Sequence, residues 1–247
     1  MKAKQQLFLL ITIALFSCRN SFEVTKKETG QYKFTDTSFT EIDSSIYKEL
    51  IPYRTKMDST MNEVLAVSTG SMEKGLPESK LGNFLSDACL SVSKAHNKTA
   101  DIAIFNTGGL RRSLPQGKIT RGDVFELMPF ENELVILTMN GEDVKKIVNF
   151  IAIKGGAPVS GLRLRIQDSV ATDIFINDVA FDVTKNYRIL TSDYLANGGD
   201  SFPFVITLGW DAVNLKVRDA LIEYLITQTK IQKEINVELD GRITNGR

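Results

Sequence analysis

The chain has 247 residues, with 30 basic and 30 acidic side chains, a formal net charge of zero and a single histidine. That balance gives no electrostatic basis for binding nucleic acid or an anionic membrane surface. One histidine cannot furnish the imidazole ligands of a two-metal hydrolytic site, and the chain contains no G-x-S-x-G elbow, P-loop or G-x-G-x-x-G sequence.

In chain order, Lys2 and Lys4 make a basic start and Leu7 to Phe16 an apolar run too short to cross a bilayer. The run ends at Leu15-Phe16-Ser17-Cys18, which resembles a bacterial lipobox. The expectation is a lipoprotein-type signal over residues 1–17 and a lipid on Cys18; a plain secretory signal cut near the same point is the alternative. Its removal takes Lys2 and Lys4 but no acid, leaving a net charge of −2. Residues 18–37 are polar and read as a tether, and 38–247 as one domain. Cys89 is then the one cysteine besides Cys18, so the domain has no disulfide framework, and its place on an apolar helix face makes it a core residue.

The pattern from Ser38 to about Asn62 is helical, with Pro52 predicting a kink or break. Val64 to Ser68 reads as a strand. Ser79 is a candidate N-cap for a helix to about His96, in which Leu81, Phe84, Leu85, Ala88, Cys89, Val92 and Ala95 form a core-facing stripe. Thr120 can cap a short helix through Leu127 that stops before Pro129. Leu134 to Met139 is a strand, and Asn140-Gly141 turns into a helix to about Ile153. Leu162 to Ile166, Ile174 to Ile176 and Val179 to Val183 are short strands, the last two joined by Asn177-Asp178, and Val217 to Thr227 is a helix. Strands and helices interleave, and the paired strands between 162 and 190 imply antiparallel pieces. The fold class is mixed α/β of the α+β type, one domain with a mixed sheet flanked by helices.

Two stretches organise this pattern. Asp101 to Phe105 and Tyr187 to Thr191 read as buried strands. Each runs into a paired-glycine loop, Asn106-Thr107-Gly108-Gly109-Leu110-Arg111 after the first and Asp193-Tyr194-Leu195-Ala196-Asn197-Gly198-Gly199-Asp200 after the second. Glycines such as Gly108 and Gly109 let backbone approach a ligand and expose its N–H groups, although a tight turn alone would use them too. Pro129-Phe130 and Tyr194 place aromatic rings on loops, where they can sandwich a flat heterocycle or simply pack. Arg111 can reach a phosphate or another anion. His96, at a helix end, reads as a solvated surface residue.

The sequences Pro77-Glu78-Ser79-Lys80-Leu81-Gly82-Asn83-Phe84-Leu85-Ser86-Asp87-Ala88, Asn106-Thr107-Gly108-Gly109-Leu110-Arg111, Gly117-Lys118-Ile119-Thr120, Met128-Pro129-Phe130 and Tyr194-Leu195-Ala196-Asn197-Gly198-Gly199-Asp200 occur in that order. Together they resemble the C-terminal domain of the 5′-nucleotidase family, which includes UDP-sugar hydrolases, over roughly residues 40 to 245. The resemblance implies a nucleotide-binding domain, with metals and the catalytic Asp-His pair in an N-terminal metallophosphoesterase domain that this sequence does not contain. It implies that Phe130 and Tyr194 stack the base, Asn106 and Arg111 lie near base and phosphate, and Asp200 contacts the ribose hydroxyls. On that basis Tyr194→Phe should be near neutral, since the ring does the stacking. Many members carry an arginine shortly before the position of Glu78, where this chain has Leu76-Pro77.

The resulting expectation is a lipid-anchored, extracytoplasmic half of a split nucleotide hydrolase, periplasmic or on the cell surface. It has no metal ligand or cofactor of its own, and a separate metallophosphoesterase chain supplies divalent metals. A stand-alone nucleoside- or nucleotide-binding lipoprotein and a structural protein with a decayed pocket are the alternatives.

Overall fold

The computed structural model describes residues 26–31, 44–204, 209–231 and 233–246. The expected signal sequence, Cys18 and the boundary at 37/38 lie outside the described residues. The chain divides into two units, Met1–Lys48 and Glu49–Arg247. All elements after the first helix belong to the second.

That helix, α1, is Ser44–Met61 with Pro52 inside it, so of the expected kink or break the break does not occur. Proline removes one hydrogen bond and crowds the carbonyl four residues back. With more than two turns of helix on either side of Pro52, that loss weakens α1 locally and does not end it.

β1 is Val64–Ser68, and it pairs antiparallel with β3, Gly117–Thr120. α2 is Lys80–Ala95, capped by the Ser79 hydroxyl, which accepts from Gly82 N. Such a cap is worth about 1 kcal/mol. α3 is Arg121–Leu127, where Thr120 and Asp123 cap each other's backbone N–H reciprocally. α4 is Gly141–Ile153, with the Asn140 side chain as cap.

A five-stranded sheet forms the centre. It contains β2 (Ile102–Ile104), β4 (Glu133–Asn140), β5 (Val159–Ser160), β9 (Asn186–Ser192) and β10 (Asp211–Lys216), in the order β10-β4-β9-β2-β5. β2 and β9 are parallel neighbours, and the other pairs are antiparallel.

Side chains alternate across a strand, and this sheet has a hydrophobic core on each face. Ala103, Phe105, Leu134, Ile136 and Leu190 point to one, where they meet α2 and α6 (Val217–Lys230). Ile102, Ile104, Val135, Leu137 and Ile189 point to the other, beneath α4 and a second sheet. Burial on both faces is why these strands read as continuous apolar runs.

The second sheet has the order β11-β6-β7-β8, with β6 Leu162–Gln167, β7 Val170–Ile176, β8 Val179–Ala180 and β11 Ile243–Asn245. β6, β7 and β8 pair antiparallel, as the spacing predicts. β8 is shorter than the expected Val179 to Val183, because the Asp182 carboxylate accepts from Thr184 N at 3.0 Å and turns the chain. β3, β5, β10 and β11 had no clear sequence signal. β10 carries polar residues and pairs irregularly at the sheet edge, so it lacks an apolar run.

Cys89 is fully buried, and burial pushes its thiol pKa up, which keeps it protonated and inert. His96 closes α2, about 40% exposed, with Nε2 3.0 Å from the Glu223 carboxylate on α6.

Candidate functional site

Strand order explains why loops distant in sequence meet. β2 and β9 run parallel as neighbours, so the loops that follow them leave the sheet at the same edge. β4 is antiparallel to β9, with Leu134 opposite Ser192, so the loop that enters β4 arrives there too. The loops 106–111, 128–132 and 193–201 therefore face one another.

They enclose a cleft of about 290 Å³ lined by Asn106, Gly108, Gly109, Arg111, Phe130, Asn132, Tyr194 and Asp200. All seven residues singled out in the domain sequence are here, and Asn132 is added. Phe130 and Tyr194 are 39% and 43% exposed, uncommon for large rings that merely fill a core.

The first loop begins with a 3₁₀ turn, Thr107–Gly109. The Asn106 side chain folds back over it: a Cβ on Gly109 would sit 3.2 Å from Asn106 Oδ1, and one on Gly108 3.5 Å from Asp200 Oδ2. Arg111 N donates to Leu127 O at 2.9 Å, tying this loop to α3 and hence to the Phe130 loop. The Arg111 guanidinium carbon lies 5.9 Å from the centre of the Phe130 ring. Among the described residues, Arg111 has no carboxylate within salt-bridge distance.

The second loop opens as a one-turn helix, α5 (Asp193–Ala196), capped by the Ser192 hydroxyl. Gly198 is left-handed at φ +85°, and the chain returns so closely that a Cβ on Gly199 would meet the Tyr194 ring at 2.5 Å. Asp200, at φ +52°, is also left-handed. Its carboxylate is held from two sides: Asn106 Nδ2 donates to Oδ2 at 2.5 Å and the Tyr194 hydroxyl to Oδ1 at 2.8 Å. The bond to Asp200 raises the Tyr194 phenol above its ordinary pKa, so at neutral pH it remains a donor.

The third loop depends on a residue the sequence did not single out. Arg218, on the first turn of α6, is 6% exposed, with its guanidinium carbon 4.2 Å above the Phe125 ring. Nη1 lies 3.5 Å from Met128 O and 3.4 Å from Phe130 O, and Nη2 binds Glu131. Lys216 binds the other oxygen of Glu131. Hydrogen bonds from Lys216 and Arg218 hold the Glu131 carboxyl down at about 2. Val217 N donates to Asn132 O at 2.9 Å. The start of α6 thus grips the backbone that carries Phe130. One sequence signal existed: a basic residue standing in the stripe Val217, Leu221, Leu225.

Residues 60–206 match the family model described as 5′-nucleotidase, C-terminal domain. The chain belongs to that family. The matched stretch holds all seven domain-site residues. A 5′-nucleotidase of Vibrio parahaemolyticus is 28% identical over 213 residues, 82% of this chain and 37% of that protein. The 5′-nucleotidase precursor of Thermus thermophilus has a TM-score of 0.68 at 26% identity, over 82% of this chain and 43% of its own. Endonuclease YhcR of Bacillus subtilis is 32% identical over 126 residues, half of this chain and 10% of that protein. The chain therefore spans less than half the length of these relatives.

Within this 5′-nucleotidase C-terminal domain, the Glu78–Asp87 motif lies outside the cleft. Glu78 accepts from Asn83 Nδ2 at 2.7 Å and from the N–H groups of Asp240 and Gly241 at 2.9 and 3.0 Å. Asp87 takes Arg242 in a two-pronged pair at 2.8 and 3.0 Å. The motif fastens the C-terminal segment, which explains its residue types without a ligand. Among the described residues, no group of three or more His, Cys, Asp or Glu side chains could hold a metal ion. The two metals that the resemblance implies for the family find no fitting ligand set there.

Proposed function

We propose that this chain is the nucleotide-recognising part of an extracytoplasmic nucleotide hydrolase. Phe130 and Tyr194 clamp the base, Asp200 receives the ribose hydroxyls between Asn106 and Tyr194, and Arg111 meets the anionic end. The observation that carries this reading is the single cleft shared by Asn106, Arg111, Phe130, Tyr194 and Asp200, although Asn106 and Asp200 are 94 residues apart. Stacking suits any base, because every base has a π-face, and a carboxylate suits a vicinal diol.

The chemical step belongs to a metallophosphoesterase that supplies divalent metals, working as a separate chain beside this one. The single histidine supports that division of labour, as does the lack, among the described residues, of a group of three or more His, Cys, Asp or Glu side chains that could hold a metal ion. The basic start and apolar run ending at Cys18 support a lipid anchor and an extracytoplasmic location. A second reading, a nucleoside-binding lipoprotein without catalysis, is favoured by the make-up of the cleft, where the exposed Phe130 and Tyr194 rings and the Asp200 carboxylate suit a base and a ribose.

Purification of the full chain from its own membrane fraction separates the two. The split-enzyme reading expects a two-metal phosphoesterase to accompany it, with hydrolysis of nucleoside monophosphates following both chains. Hydrolysis by this chain alone that is lost in Arg111→Ala would overturn it, and recovery of the chain with bound nucleoside and no phosphoesterase favours the second reading.

A further inference from the structure

α1 carries a stripe of apolar side chains left open to solvent. Ile46, Leu50, Tyr53 and Met57 follow one another at spacings of four, three and four residues. Residues so spaced share one face of a helix. Ile46, Leu50 and Met57 are each more than half exposed, and Tyr53 is 77% exposed. Every residue from Ile46 to Thr60 is exposed, and burial begins only at Met61.

Helices in proteins draw most of their stability from packing an apolar face. α1 has little else to draw on. Pro52 removes one of its backbone hydrogen bonds, and among the described residues its one internal ion pair is Arg54–Asp58 at 3.7 Å. The spacing of its stripe is that of a two-helix coiled-coil seam, with Leu50 and Met57 at the a positions and Ile46 and Tyr53 at d. Pro52 then falls at c, away from the seam. Glu49 and Lys56 fall at g and Arg54 at e, the positions that flank it.

We propose that α1 is a self-association element, pairing along this seam with α1 of a second copy of the chain. Charge complementarity points to that occupant. In a parallel pair, g of one helix lies beside the following e of the other, so Glu49 meets Arg54 of the second copy. In an antiparallel pair g lies beside g, so Glu49 meets Lys56. Two-fold symmetry makes each contact twice. The helix is therefore complementary to itself in either direction, whereas a seam flanked by one sign of charge would repel its own copy. The seam is short, about two and a half heptads, so the pair is one that dissociates on dilution.

The test is sedimentation of the full chain over a dilution series in detergent, with micelles in excess over chains. Wild type should form a dimer that dissociates as it is diluted. Leu50→Glu with Tyr53→Glu should be monomeric while the domain melts as in wild type, because both side chains are exposed. Glu49→Lys should weaken the dimer about threefold to tenfold, since each exposed ion pair it reverses is worth little alone. Adding Arg54→Glu and Lys56→Glu to it should restore the dimer, as expected of a helix that pairs with itself. A monomeric wild type, its stripe covered by lipid or by a different chain, overturns the inference. So does a dimer indifferent to Leu50→Glu with Tyr53→Glu. An unchanged dimer in Glu49→Lys, or a loss there that the triple variant does not recover, overturns it as well.

Discussion

The Tyr194 hydroxyl donates to Asp200 Oδ1 at 2.8 Å, across a loop whose backbone returns against the same ring. Ring and hydroxyl thus serve different ends: the ring offers a stacking face, and the hydroxyl orients the carboxylate. Sequence reasoning, which considers only stacking, makes Tyr194→Phe neutral. The structure revises that. Losing the bond to the exposed Asp200 carboxylate, together with the 3.2 Å bond that the hydroxyl accepts from Asp200 N, should weaken adenosine about twofold to tenfold, as removal of about 0.5–1.5 kcal/mol does. Tyr194→Ala should cost about tenfold or more, since stacking adds roughly 1–3 kcal/mol. Titration calorimetry of the two variants checks the order; equal binding by wild type and Tyr194→Phe would return the hydroxyl to irrelevance.

Gly199 and Gly198 should fail in opposite ways. The three atoms nearest a Cβ at Gly199 all belong to the Tyr194 ring, at 2.5–2.6 Å, so that ring must move aside. Gly199→Ala should therefore lose about as much adenosine affinity as Tyr194→Ala while melting close to wild type. At Gly198 nothing lies within 4 Å, but φ is +85°. Gly198→Ala should cost about 1–2 kcal/mol of stability. Paired melting and binding measurements on both variants decide it.

Arg218 should behave as a positioning residue for Phe130. Arg218→Ala leaves the Met128 and Phe130 carbonyls without their donor and removes one partner of Glu131. A loss of about 1–3 kcal/mol is expected, read at about 2–4 °C of Tm per kcal/mol. Adenosine affinity should fall as well, because the ring's backbone is released. Lys216→Ala touches Glu131 alone and should leave affinity nearly unchanged. If both variants bind alike, Arg218 has no positioning role.

Glu131 gives that loop a pH dependence. Lys216 and Arg218 hold its carboxyl at about 2, below the roughly 4.3 of an unfolded glutamate. A depressed acid stabilises above its unfolded pKa and ceases to as pH falls through the folded one. The Tm difference between wild type and Glu131→Gln should thus be steady above about pH 5 and shrink toward about pH 2. A difference that stays constant over that range contradicts the pairing.

Much of this was legible because strand and loop signals are local. The apolar runs before Asn106 and Asp193 mark strands buried on both faces, and Thr120 and Asn140 mark helix starts through their own side chains. Parallel pairing of β2 with β9 then brings the marked loops to one edge. What was not legible depends on residues far apart. Arg218 acts on a carbonyl 88 positions away. The role of Glu78 appears only when the chain returns at Asp240 and Gly241. Pro52 sits within a helix because the turns on either side sustain it, which a single-residue rule does not weigh.

The most direct measurement is titration of adenosine into the full chain beside Phe130→Ala and Tyr194→Ala, with melting curves to verify folding. Wild type should bind, and each substitution should weaken binding about tenfold or more with the fold intact. Binding that survives both substitutions unchanged, in folded protein, would contradict the account of this cleft as a nucleobase clamp.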